Sequence, residues 1–117
     1  MNETAFKKRT KQLARAIIGL VESLPVSRTA DVIGRQLLRS GTSIGANYRA
    51  ACRGKSKADL IAKLAIVEEE ADETSYWLEL LSDCDLVQAS RVDDLSKETD
   101  EITAMTVSSI RTLREQK

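Results

Sequence analysis

From Ser56 to Cys84 the chain runs SKADLIAKLAIVEEEADETSYWLELLSDC with no glycine or proline, and its apolar or small residues recur in a strict alternation of four and three: Leu60, Leu64, Val67, Ala71, Thr74, Leu78 and Leu81. At about 3.6 residues per turn, that rhythm lays them along one stripe of a long helix. One helix cannot bury its own stripe, so the remaining segments have to cover it. They repeat the rhythm. Phe6, Thr10, Leu13, Ile17 and Leu20, continued by Leu24, predict a helix from about Glu3 or Thr4 to about Ser23. Ile33, Leu37, Ser40, Ile44, Asn47 and Ala51 predict a second from about Thr29 or Ala30 to Arg53. Leu95, Thr99, Ile102, Thr106, Ser109 and Leu113 predict a last one from about Ser90 to about Glu115, with the weakest stripe of the four and an expected place at the edge or against a neighbouring subunit that finishes its burial.

The breaks between stripes carry turn chemistry. Pro25 pushes Leu24 out of the α region and stops the first helix. Gly54 suits the position after a helix C-cap, and Ser56 suits an N-cap, with Asp59 three residues on as an imperfect capping box. Helices two and three therefore form a short antiparallel hairpin. Asp83 and Asp85 mark the last turn. The pattern predicts an all-α protein, an antiparallel up-down four-helix bundle, built as a single domain over residues 1–117.

One segment of the second helix, RSGTSIGANYRAA, departs from good helix composition. Gly41 and Gly45 each cost about 1 kcal/mol against alanine, and Ser40, Ser43 and Asn47 need hydrogen-bond partners wherever they are buried. On one reading the small residues permit close helix contact while Ser40 and Asn47 set the register. On the other, the segment is a ligand surface flanked by Arg39, Arg49 and Arg53. The Gly41-to-Gly45 spacing matches a membrane dimer motif, but an arginine-flanked helix of this composition gives it no such meaning.

Composition of 42% hydrophobic and 31% charged residues is that of a folded globular chain, which argues against disorder. The net charge is zero, yet residues 1–60 hold twelve Lys or Arg against four Asp or Glu, and residues 61–117 hold six against fourteen. That asymmetry fits a basic surface that meets phosphates, or basic helices paired with acidic ones within or between subunits. Candidate phosphate contacts are Lys7, Lys8, Arg9, Lys11, Arg15, Arg35, Arg39, Arg49, Arg53 and Lys55. The acidic run Glu68, Glu69, Glu70, Asp72 and Glu73 reads as a solvated face, because di-iron bundles also need histidine and the chain has none. Lacking histidine, it has no Ser–His or Cys–His nucleophile pair, so no enzymatic activity, cofactor or metal is expected. Cys52 and Cys84 read as buried free thiols. Trp77, off the main stripe, suits a subunit interface. No signal-peptide pattern or membrane span is present, and the cytoplasm is the expected location.

The stretch from Leu37 to Leu81, LLRSGTSIGANYRAACRGKSKADLIAKLAIVEEEADETSYWLELL, closely resembles the core signature of bacterial four-helix-bundle proteins related to those encoded in intervening sequences of 23S ribosomal RNA genes. Its most specific element is S-x-x-S-I-x-x-N, from Ser40 through Ser43 and Ile44 to Asn47. Lys55, Ser56 and Asp59 match further on, as do Glu70, Glu73, Thr74, Tyr76, Trp77, Leu78 and Leu81. The resemblance implies a ring, typically a homopentamer, with Ser40, Ser43, Asn47, Tyr76 and Trp77 as structural positions. The group is also similar to the accessory protein of diversity-generating retroelements, which works with a reverse transcriptase and nucleic acid. Ala50 departs from the pattern, in which Glu commonly follows the N-Y-R triplet. The expected partners are copies of the chain itself and RNA or DNA, or else another protein in an assembly module with no nucleic-acid role; no membrane is expected.

Overall fold

The computed structural model describes residues 2–116, and they form four helices: α1 (Glu3–Glu22), α2 (Arg28–Cys52), α3 (Lys57–Asp83) and α4 (Ala89–Glu115). Consecutive helices pack against each other as antiparallel neighbours and α4 returns to α1, giving an all-α, up-down four-helix bundle 51 Å long and 20 Å across. No strand occurs among the described residues.

Three of the four helices start where a side chain occupies an orphan amide. Asn2, Ser27 and Ser56 accept hydrogen bonds from the amides of Ala5, Ala30 and Asp59. Ser27 captures the start of α2 earlier than the expected Thr29 or Ala30. Only α4 begins without such a cap, at Gln88. The α2–α3 hairpin is as short as expected, but its chemistry differs in two details. Asp59 reaches back to the amide of Lys55 at 3.1 Å, one residue before the capping serine. Gly54 has no positive φ; it is needed because a Cβ there would lie 3.0 Å from the Ala51 carbonyl oxygen. The left-handed conformation falls instead on Asp85, φ 56°, where Leu86 N–H bonds to Leu81 O and Asp85 N–H to Ser82 O, a Schellman ending of α3.

The core is the four stripes brought together. Leu37, Ile44, Leu78, Leu81, Ile17 and Ile102 are fully buried, each contributing about 1.5–3 kcal/mol of transfer free energy. The hydroxyls of Thr10, Thr74, Thr99 and Thr106 enter the same core without penalty, because each bonds the carbonyl four residues earlier. Among the described residues no buried side-chain polar atom lacks a partner. Leu60, Leu95, Ser109 and Leu113 of the expected stripes are only half-buried. The α3–α4 and α2–α3 seams are broad while α1–α4 is narrow, so α4 is not a mere edge helix. The thiols also differ from expectation: Cys52 is half-buried and Cys84, the cap residue that leaves α3, is exposed.

Candidate polyanion-binding face

Glycine sets the spacing of the helices that carry the basic residues. A Cβ on Gly41 would lie 2.5 Å from Ile17 Cδ1, and one on Gly45 would lie 3.1 Å from Thr10 Oγ1, so α1 and α2 approach more closely than two alanine-bearing surfaces allow. These contacts also set the register: residue 10 faces residue 45, which brings the N-terminal half of α1 beside the C-terminal part of α2.

The ten candidate cations divide into two groups. Arg9 is a clasp between α1 and α4, its Nε and Nη2 each donating to Glu98 at 2.7 Å and Nη2 also to Glu101 at 2.5 Å. The hydrogen bond from this guanidinium holds the Glu98 carboxyl below the usual glutamate range and raises the pKa of Arg9. Arg39 ties α2 to Glu70 and Glu73 of α3, Arg35 pairs with Asp31 at 3.1 Å, and Lys7 lies 3.8 Å from Glu3. These four belong to the reading in which acidic and basic residues pair within the molecule. Lys8, Lys11, Arg15, Arg49, Arg53 and Lys55 form no ion pair among the described residues, and all six are exposed.

By helical phase, Lys8, Lys11 and Arg15 follow one outward line of α1, and Arg49 and Arg53 one line of α2; Lys55 lies in the hairpin just beyond. The six extend over roughly 20 Å at one end of the bundle, counting about 1.5 Å per residue. Of the acids in this region, Glu3 lies beside Lys7, and Asp59 accepts from the Lys55 amide and pairs with Lys63.

The motif residues have structural roles. Thr74 Oγ1 donates to Ser40 Oγ at 3.0 Å across the α2–α3 seam. Asn47 does not act as a buried register residue: it is half-buried, and its amide donates back to Ser43 O at 2.8 Å within α2. Ser43 bonds Arg39 O. Trp77 Nε1 donates to Glu73 at 2.9 Å, and its ring meets Tyr76 edge-on at 4.9 Å. In the acidic run, Glu70 and Glu73 turn to Arg39, whereas Glu69 and Asp72 face solvent. Glu98, Glu101 and the pairing of Thr74 with Ser40 escaped the sequence reading, since nothing local announces which helices become neighbours.

A cleft of about 710 Å³ opens at the same end, between Tyr48 and Cys52 of α2, Leu60 and Leu64 of α3, and Ser109 and Leu113 of α4. Its only forewarning in the sequence is the hydroxyl at stripe position 109. Burial pushes both the Tyr48 phenol and the Cys52 thiol up from their ordinary values, so at neutral pH neither is an ionised nucleophile.

Four antiparallel helices around one seam, with the polar pair Ser40–Thr74 inside it and a cationic face outside, define a small helical-bundle protein. Residues 2–108 match the 23S rRNA-intervening sequence protein family, and the chain belongs to that family. It is similar to a crystallised protein of unknown function from the S23 ribosomal protein family of Bacteroides thetaiotaomicron, with 37% identity, a TM-score of 0.87, and coverage of 95% of this chain and 99% of that one. None of the curated proteins matches. No helix among the described residues is long and apolar enough to cross a membrane.

Proposed function

We propose that this protein is a non-enzymatic, oligomeric helical bundle that binds RNA or DNA through phosphate contacts. The observation that carries this reading is the separation of the cations: internal ion pairing consumes Arg9, Arg35, Arg39 and Lys7, while six exposed cations gather unpaired on the α1–α2 face. Such a face attracts polyanions despite zero net charge, because a local potential extends over only about one Debye length, roughly 8 Å in physiological salt.

Oligomerisation is supported by a second observation. On α2 and α3, Val32, Ile66 and Tyr76 are 55%, 41% and 56% exposed, and Trp77 and Leu80 are half-buried. Apolar area of this kind suits a contact with further copies, in a homopentamer if the resemblance extends to assembly. A ring would repeat the cationic face around its circumference and raise avidity without new contacts.

Fluorescence anisotropy with a labelled RNA hairpin at low salt tests the first claim. The intact protein is expected to bind, and the combined variant Lys11→Ala, Arg15→Ala, Arg49→Ala to bind at least about tenfold more weakly, with Arg35→Ala unaffected. Absence of binding to RNA and DNA alike would leave the protein-interaction module as the function. Sedimentation of the protein and of Tyr76→Arg tests assembly; a wild-type monomer at micromolar concentration refutes it.

A further inference from the structure

We infer that the cleft between α2, α3 and α4 is a nucleotide site, which takes one unpaired nucleotide with its phosphate at Lys55 and Lys57 and its base and sugar inside. Where that nucleotide ends a bound strand, the inference rests on the phosphate-binding reading above; where it is free, it does not.

The cleft exists because the helices differ in length. α1 has 20 residues against 25, 27 and 27 in α2, α3 and α4. Arg9 meets Glu98 and Glu101, and α1 is antiparallel to α4, so Glu3 comes level with residues 104–107. Ser109, Thr112 and Leu113 therefore lie beyond the first residue of α1, and the wall that a longer α1 would cover stays open. Its volume of about 710 Å³ falls within the range of about 300–1,000 Å³ in which proteins enclose small ligands.

The lining divides by chemistry. Leu60, Leu113 and the Tyr48 ring supply an apolar wall for the faces of a base. On α4, Thr99, Thr103 and Thr106 each donate to the carbonyl four residues earlier, but the hydroxyls of Ser108, Ser109 and Thr112 donate to no protein group among the described residues. Each hydroxyl is donor and acceptor at once, which matches a base edge or a ribose and is wasted on a hydrocarbon. Charge selects the anionic end. Lys55 forms no ion pair among the described residues, and Lys57 Nζ donates to the Gln116 carbonyl at 2.8 Å, a neutral partner that leaves its charge uncancelled. The one carboxylate in the lining among the described residues, Glu3, lies 3.8 Å from Lys7. Burial keeps the Tyr48 phenol and the Cys52 thiol protonated at neutral pH, so neither opposes a phosphate.

The mouth adjoins the cationic residues. Arg49 is an i, i+3 neighbour of Cys52 on α2, Arg53 follows Arg49 by one turn, and Lys55 both continues them in the hairpin and lines the cleft. A strand held by these three delivers an unpaired last nucleotide to the opening, whereas a paired base first has to leave its stack.

The test uses the intact protein. Anisotropy compares blunt RNA and DNA hairpins, labelled in the loop, with the same hairpins carrying a short unpaired 5′ or 3′ tail, and calorimetry titrates the nucleoside 5′-monophosphates. A tailed hairpin is expected to bind about tenfold more tightly than its blunt counterpart. Thr112→Trp, which fills the cleft from an exposed position on its wall, should abolish that advantage and leave the blunt hairpin's affinity unchanged. Lys57→Gln should reduce the advantage by about threefold or more. A tail advantage lost in this way assigns the site to strand ends; a monophosphate bound at millimolar concentration without a tail advantage, and lost in Thr112→Trp, assigns it to free nucleotides. Tailed and blunt hairpins binding alike with no monophosphate bound, or a signal unmoved by either variant, overturns the inference while phosphate binding stands. A bound monophosphate with no hairpin bound removes the phosphate-face reading and leaves the cleft's, and binding of neither removes both.

Discussion

Replacing Gly41 by alanine places a methyl 2.5 Å from Ile17 Cδ1, 3.1 Å from its Cγ2 and 3.5 Å from its Cβ. Rotation about χ2 could carry Cδ1 away, but Ile17 is fully buried and β-branched, so Cγ2 has no free rotamer to move into. The substitution gains about 1 kcal/mol of helix propensity and loses roughly 1–3 kcal/mol to overpacking. The expected balance is a loss of about 1 kcal/mol, a fall in Tm of roughly 3–6 °C. Gly19→Ala is the matched control: a Cβ there would meet nothing within 4 Å, so the substitution should stabilise by about 1 kcal/mol. Ile17→Val removes Cδ1 and alone should cost about 0.5–1.5 kcal/mol, but beside alanine at position 41 it should cost about 1 kcal/mol less. Urea unfolding at one fixed protein concentration measures all four variants. A Gly41→Ala protein as stable as Gly19→Ala, or an Ile17–Gly41 cycle without coupling, would refute the claim that this glycine exists for α1–α2 contact.

The Arg9–Glu98 clasp makes stability depend on acid. Because the folded-state pKa of Glu98 is depressed, the clasp's contribution is present above the ordinary glutamate pKa of about 4.3 and disappears as pH falls through the lower folded value; Glu98→Gln should lessen this acid sensitivity in pH-dependent urea melts. Asp85→Gly relieves a non-glycine residue at φ 56° and is expected to raise stability by about 0.5–1 kcal/mol after the added unfolded-state entropy, read by thermal melting. Gln88→Ser supplies the side-chain cap that α4 lacks and should add about 0.5–1 kcal/mol, with slower amide exchange at residues 90 and 91.

Much of the bundle was legible in one dimension. All five stripe positions from Phe6 to Leu20 are buried, as are six of the seven from Leu60 to Leu81, since helical periodicity and the need to cover an apolar stripe are local properties of spacing. The charge asymmetry was equally plain, and so was the family signature around Ser40 and Asn47. Which cations remain available was not. Arg9 and Lys8 are neighbours in sequence, yet one locks onto Glu98 and Glu101, 89 and 92 residues away, while the other stays in water. A step of about 100° around α1 decides between them, and its meaning depends on where α4 comes to rest. Asn47 keeps the stripe's spacing but falls at the margin of the α2–α3 seam, and only Ser40 meets a partner across it. Spacing along a helix determines which residues share a side; the packing of four helices determines what each side faces, and with it which charges are spent inside the molecule and which are left for another.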